Sequence, residues 1–111
     1  MPEVRSTDIQ GAMESGQSPM VAALHPNVPN PFNPHTQILF DLPRSAPVRL
    51  TIHDMLGRRV RTLLTGFRRA GTHRVDWDGR DLDGESLSSG VYFYRLVTQH
   101  TAVARSMLLL R

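Results

Sequence analysis

The sequence of 111 residues contains no cysteine and no lysine. Without cysteine, the chain can form neither a disulfide framework nor a thiolate that would serve as metal ligand or nucleophile. It also lacks an apolar run near the ~18 residues that a membrane-spanning helix requires. With 40% apolar residues and few aromatics, the composition is typical of one globular domain whose core is held together by packing alone.

Positive charge comes from arginine alone and is unevenly distributed along the chain. Eight arginines and one acid lie between Arg44 and Arg74, whereas five acids and one arginine lie between Asp76 and Glu85. A basic stretch can mark a nucleic-acid or polyanion binder. This one lacks a series of interleaved aromatics on which bases could stack. We therefore expect the arginines to occupy the solvent-facing sides of strands, and we expect no nucleic-acid partner.

Residues 1–23 differ in composition from the remainder of the chain. Their Ser, Gly, Gln and Glu cannot bury enough surface to offset the entropy of ordering, which predicts a flexible linker or disordered lead-in before a domain at residues 24–111. The segment has no apolar run long enough for the h-region of a signal peptide. We expect either a cytoplasmic protein or a piece of a longer chain.

From Thr36 onward, apolar and polar residues alternate with a period of two, which predicts strands with one face in a core and one in water. Glycine, proline and aspartate punctuate these runs as they do in turns. Short strands at regular spacing without helical periodicity predict an all-β, Ig-like antiparallel β-sandwich of about seven strands. The residues predicted to face inward are Ile38, Phe40, Leu42, Val48, Leu50, Ile52, Val60, Thr62, Leu64, His73, Val75, Trp77, Tyr92, Tyr94 and Leu96.

A proline-rich stretch, VPNPFNP, precedes the first long strand and isolates Phe32 between two Asn-Pro steps. Its prolines fix φ and remove backbone donors, so the segment cannot pair as a central strand. Asparagine side chains can hydrogen-bond nearby backbone groups instead. We predict an extended strap that lies over the surface, with Phe32 inserted into the edge of the sandwich.

The last strand, in the segment RSMLLLR, is apolar on both faces. Met107 and Leu109 lie on one face, and Leu108 and Leu110 lie on the other. Two interpretations remain open. The strand is covered on both sides by the protein itself, or it is an exposed apolar strand that another molecule covers.

Four segments together resemble the type A C-terminal sorting domain of the type IX secretion system, a family similar in fold to the Ig-like domain of flagellar hook-capping proteins. The segments are VPNPFNPHTQILFDLP, VRLTIHDMLGRRVRTLLTG, GTHRVDWDGRDLDGESLSSGVYFYRL and the ending ARSMLLLR. The resemblance implies a non-catalytic domain without cofactors that directs an attached cargo protein through the periplasm to the bacterial surface. The implied partners are the cargo, a secretion translocon and a sortase-like enzyme, with only indirect outer-membrane association.

The resemblance also assigns roles by position. The proline-rich motif comprises Asn30, Pro31, Phe32, Asn33 and Pro34. The structural residues are the turn glycines Gly57, Gly71, Gly79, Gly84 and Gly90 and the core aromatics Trp77 and Tyr92. The recognition strand comprises Arg105, Met107, Leu108, Leu109, Leu110 and Arg111.

Other functions have weaker support in the residues. A loose calcium site could use the aspartates of DWDGRDLDGE, although aspartate is also common in turns; the candidates are Asp76, Asp78, Asp81 and Asp83. Serines lack the G-x-S-x-G setting of a nucleophile, and we expect no enzyme activity. A structural Ig-like spacer or assembly module, and a carbohydrate-binding accessory domain that uses Trp77, remain as alternatives.

Overall fold

The computed structural model describes residues 21–111, and in this range the chain forms two antiparallel sheets and no helix. The predicted all-β sandwich is confirmed. Within this range no helix is long and apolar enough to cross a membrane. The strands are β1 (Ala23–Leu24), β2 (Thr36–Leu42), β3 (Ala46–His53), β4 (Arg59–Arg68), β5 (Gly71–Trp77), β6 (Gly90–Val97) and β7 (Ala102–Leu109).

One sheet has the strand order β1-β2-β5, and the other has the order β4-β3-β6-β7. All of the strand pairs are antiparallel. The terminal strand β7 pairs with β6 on one side only, so it forms an edge of the four-stranded sheet. That position leaves its second row of backbone groups for another partner.

The core lies between the two sheets and follows the predicted alternation in most strands. In β2, Ile38 and Phe40 are fully buried, whereas Gln37 between Thr36 and Ile38 is exposed. Burial of apolar surface at roughly 25 cal/mol per Å² is the main favourable contribution to folding. The buried apolar residues are Leu24, Phe32, Ile38, Phe40, Leu42, Val48, Leu50, Ile52, Trp77, Tyr92, Tyr94, Leu96, Met107 and Leu109.

In β4 the predicted alternation is wrong. The pairing of β4 with β3 shifts register twice, which leaves Leu63 and Val60 as the extra residues of two β-bulges. A bulge places two residues of one strand opposite one residue of its neighbour. The adjacent side chains of Leu63 and Leu64 consequently both pack against the core, which a strict period of two does not allow.

The predicted lead-in, residues 1–23, lies outside the described residues except for its last three. Of these, Ala23 is already part of β1 and pairs with Asp41 of β2. The sandwich therefore includes at least one residue that the composition assigned to the linker.

The side chain of Asp41 in β2 contacts both β5 and the residue that follows β1. Its Oδ2 lies 2.6 Å from His25 Nε2, and its Oδ1 accepts a hydrogen bond of 2.6 Å from the Thr72 hydroxyl. Burial raises the pKa of Asp41, but the hydrogen bonds from Thr72 and His25 and the nearby imidazole charge outweigh burial and hold this pKa below its ordinary value of 3.8.

We predict that Asp41 stabilises the fold at neutral pH and loses this contribution in acid. Because the folded-state pKa is the lower one, the contribution is present above 3.8 and disappears as the pH falls through the folded value. Asp41→Asn should reduce the urea midpoint at neutral pH and flatten its decline in acid. Asp76→Asn, at an exposed aspartate of the same sheet, controls for the loss of one charge; an equal effect there would refute the prediction.

Candidate recognition site

The proline-rich motif, called here the strap (residues 30–34), lies against the end of the terminal strand. The Phe32 N–H donates to the carbonyl of Leu108 (3.0 Å), and the Phe32 carbonyl accepts from the N–H of Leu110 (2.9 Å). The two segments form a parallel bridge between Phe32 and Leu109. The strap therefore occupies part of the free edge of β7.

The side chain of Phe32 anchors the strap in the core. It is 2% exposed, and its ring centroid lies 5.6 Å from that of Trp77, which in turn meets Tyr92 edge-on at 5.9 Å. Offset and edge-on aromatic pairs add to the stabilisation that burial gives. The polar atoms of both partners are satisfied internally, since Trp77 Nε1 donates to the Arg80 carbonyl and the Tyr92 hydroxyl to the Ser88 carbonyl.

Burial of these aromatics argues against a sugar-binding platform. A carbohydrate would need an exposed ring face, and Trp77 is 1% exposed. The carbohydrate-binding alternative therefore loses the residue on which it was based.

Asparagines in and next to the proline-rich stretch have different partners. Asn27, just before the stretch, donates through Nδ2 to the carbonyl of Pro29 (3.1 Å) and the hydroxyl of Thr36 (3.0 Å). Asn30 instead accepts a hydrogen bond of 3.0 Å from the N–H of Leu108, at a sequence separation of 78 residues. Sequence reasoning missed this contact because a distant partner leaves no local signal.

The six residues of the predicted recognition strand lie in different environments. Met107 and Leu109 are buried in the core, Leu108 is half-buried, and Leu110 is 48% exposed. Arg105 is exposed, and its Nε donates to the carbonyl of Leu24 (2.6 Å). The segment RSMLLLR is therefore covered by the protein itself on its core face and along the edge that the strap occupies. Leu110 remains accessible to another molecule.

Beyond the strap, the edge of β7 borders a cleft of about 400 Å³. Ala104 and Ser106 line one side of it, and Asn27 and Asn30 line the other. The Asn27 side chain is 3% exposed, and its Oδ1 has no donor among residues 21–111. A buried acceptor without a partner costs free energy.

Arg111 is tied to the loop that follows β5. Its guanidinium donates to the carbonyls of Leu87 and Gly79, and its N–H donates to the hydroxyl of Ser89 (2.8 Å). Gly79 has φ +72°, and a Cβ there would lie 3.0 Å from the Arg111 guanidinium and 3.2 Å from the Pro34 carbonyl. Only glycine meets both the backbone conformation and the close approach.

The other turn glycines lie at the ends of strands or in loops. Gly71 and Gly90 begin β5 and β6, Gly57 lies in the turn between β3 and β4, and Gly84 lies in the loop between β5 and β6.

Aspartates of the candidate calcium site are used to shape turns. Asp81 Oδ1 accepts from the N–H groups of Asp83 and Glu85, and Asp78 Oδ1 accepts from the Arg61 guanidinium at 3.3 Å. Asp76 is exposed on β5. Among residues 21–111, the structure brings together no group of three or more potential metal ligands.

Residues 29–101 match the family described as the FlgD Ig-like domain. The chain belongs to the FlgD Ig-like domain family. This match contains the strap and ends before β7. The chain is also 49% identical over 45 residues to the basal-body rod modification protein FlgD of Salmonella typhimurium and of Salmonella typhi. The aligned region covers 40% of this chain and 19% of each relative.

Three solved structures share the fold. Latent PorU of Porphyromonas gingivalis aligns with a TM-score of 0.70 over 96% of this chain and 10% of its own, at 24% identity. PorZ of the same organism, a surface component of the type IX secretion system, gives 0.57 over 79% and 11%, at 23% identity. FlgD of Pseudomonas aeruginosa gives 0.53 over 67% and 57%, at 24% identity.

We predict that Asn30, and not Asn33, holds the strap on β7. Asn30→Ala removes the acceptor of the Leu108 N–H and should lower the free energy of unfolding by about 0.5–1.5 kcal/mol, because water can replace the exposed bond only in part. Hydrogen exchange of the Leu108 amide should accelerate. Asn33 is exposed, and Asn33→Ala is the matched control, expected to change neither quantity. Unchanged Leu108 exchange in Asn30→Ala would contradict this assignment.

Proposed function

We propose that the domain is a non-catalytic sorting signal of the type IX secretion system, which directs an attached cargo protein through the periplasm to the bacterial cell surface. The observation that carries this proposal is the junction of the strap with the terminal strand. The region that resembles the sorting domains comprises residues 24–111. The junction joins the strap, near the beginning of this region, to its last residues and forms one accessible surface with them. The fold shared with PorU and with PorZ, a surface component of that secretion system, supports the same interpretation.

Recognition in this proposal uses the part of the terminal strand that the sandwich leaves accessible. Leu110 is 48% exposed although Leu109 before it is buried in the core, and Arg111 beside it is ordered by three hydrogen bonds. We call Leu110 and Arg111 the rim. An apolar side chain at an ordered position is suited to a pocket on a partner, since little conformational entropy is lost on binding. The adjacent cleft at Ala104 and Ser106 offers sheet-edge backbone to which a partner strand could add.

The proposed partners are the translocon that recognises the folded domain and a sortase-like enzyme that separates it from its cargo. Nothing in this mechanism requires chemistry from the domain itself. The buried aromatics and the hydrogen-bonded loop serve to keep the rim in one conformation.

A second candidate is a structural Ig-like module that spaces or assembles domains. The 49% identity to the FlgD proteins over 45 residues favours it. Such a module would tolerate a folded protein fused after Arg111, whereas a terminal recognition strand would not. Export of a cargo whose sorting domain carries such a fusion would therefore favour the structural module.

We predict that Leu110→Glu blocks sorting without unfolding the domain. Residues 21–111 would be fused to a reporter that already enters the periplasm, in a bacterium that possesses a type IX secretion system. The reporter should reach the surface with the unchanged domain, and the variant should lower surface display about tenfold or more, as loss of a central contact does. Cell fractionation with an antibody to the reporter measures the distribution.

Leu82→Glu is the matched control, since Leu82 is 62% exposed in the loop between β5 and β6. It introduces the same charge beside Val60 of β4, which forms the edge of the sheet opposite β7, and should leave display unchanged. Retention of the unmodified fusion in the periplasm would reject the sorting function. Equal display of Leu110→Glu and the unmodified fusion would reject only the role of Leu110 in recognition.

A further inference from the structure

Charge is segregated between the two sheets more sharply than along the sequence. The four strands β3, β4, β6 and β7 contain six arginines and no acidic residue, whereas β2 and β5 contain two aspartates and one arginine. The arginines of the four-stranded sheet are Arg49, Arg59, Arg61, Arg68, Arg95 and Arg105.

Half of these arginines have internal acceptors. Arg61 contacts Asp78, Arg68 donates to the carbonyl of Phe67, and Arg105 donates to the carbonyl of Leu24. The other three, Arg49, Arg59 and Arg95, have no carboxylate partner among residues 21–111.

Strand register brings these three arginines together on the outer face of the sheet. Arg95 lies opposite Thr51, Arg49 is two residues from Thr51 on the same strand, and Arg59 lies opposite His53. Together they line one cleft of about 390 Å³. Like charges on neighbouring strands repel each other, so an anion bound between them would relieve this repulsion.

The floor of the cleft contributes hydrogen-bonding groups. Thr51 is 4% exposed although it lies on the outer face, and its hydroxyl lies 2.9 Å from His53 Nε2. The other ring nitrogen, Nδ1, contacts the carbonyl of Gly57 at 3.2 Å. A carbonyl accepts only, so Nδ1 donates to Gly57, while the Thr51 hydroxyl can donate to Nε2 or accept from it. Arg49, Arg59 and Arg95 supply three guanidinium cations to the cleft.

An apolar depression of about 350 Å³ adjoins the basic cleft and shares His53 and Arg95 with it. Met55, Phe93 and Ala104 line it. Met55 and its neighbour Leu56 are 70% and 77% exposed. These residues are not on a loose loop, because Asp54 Oδ1 accepts from the N–H groups of both Leu56 and Arg58.

We propose that this face, called here the basic-apolar face (Arg49, Arg59, Arg95, Met55, Leu56 and Phe93), docks on an anionic lipid surface. The guanidinium groups would bind lipid phosphates, which they match as planar bidentate donors. The turn tip with Met55 and Leu56 would enter the apolar boundary of the headgroup layer. The apolar component favours lipid over a free phosphate, since a soluble anion would leave the turn tip in water. This docking is independent of the sorting function.

The test is co-flotation of the protein with lipid vesicles. The protein should float with vesicles of phosphatidylcholine and phosphatidic acid and remain behind with phosphatidylcholine alone, and added salt should release it. Each of Arg49→Gln and Arg95→Gln should lower the partition coefficient about fivefold. Met55→Ser should also lower it, because the substitution removes the inserted side chain.

Matched controls are available outside the basic-apolar face. Arg74→Gln removes one exposed arginine from β5, and Leu82→Ser removes one exposed leucine; both should leave the partition coefficient unchanged. Failure of the unmodified protein to float with the phosphatidic acid vesicles would overturn the proposal.

Three further outcomes would also overturn it. One is an equal loss of flotation in Arg74→Gln. Another is full release by glycerol phosphate at the same phosphate concentration, which would assign the cleft to a soluble phosphate ester. The third is a concentration-dependent dimer abolished by Arg49→Gln, which would assign the face to the acidic loop of a second copy.

Discussion

The fold depends on the contact between Phe32 and the end of β7. Two backbone hydrogen bonds and the Asn30 carboxamide join the strap to residues 108–110, while the Phe32 ring lies between the sheets against Trp77. Closing a connection of nearly the whole domain costs entropy that only later contacts return. Here the contacts that offset this entropy are the burial of the Phe32 ring and the covering of the apolar end of β7 by the strap.

That contact also determines how the sandwich protects itself from aggregation. A sheet edge invites pairing with another chain unless it is covered, bent or charged. On the β7 side the strap covers the apolar end, and Arg105 adds a tether to Leu24 across the sheets. On the β4 side, two bulges disturb the ladder and arginines flank it. On β7, the edge that remains open lies at the cleft near Ala104 and Ser106, whose side chains are small.

Sequence patterns predicted those parts of the molecule whose causes are local. Burial on one face appears as alternation, so β2, β3, β6 and the inward side chains of β5 could be identified, and proline chemistry indicated an extended strap. The bulges at Val60 and Leu63 escaped because they place neighbouring residues on the same side. The partners of Asn30 and Arg111 could not be predicted because they lie far away in the sequence, and local residue spacing carries no information about such contacts.

The distribution of arginines shows the same distinction between local and distant causes. Alternation suffices to place Arg49 and Arg59 on solvent-facing sides, but only the register of β3 with β6 brings Arg95 beside them. The resulting repulsion is tolerable because guanidinium groups at a surface remain hydrated. A bound anion would remove the remaining repulsion, and a ligand that binds only the folded state stabilises it. Binding of an anionic surface to the basic-apolar face would therefore raise the free energy of unfolding of the sandwich.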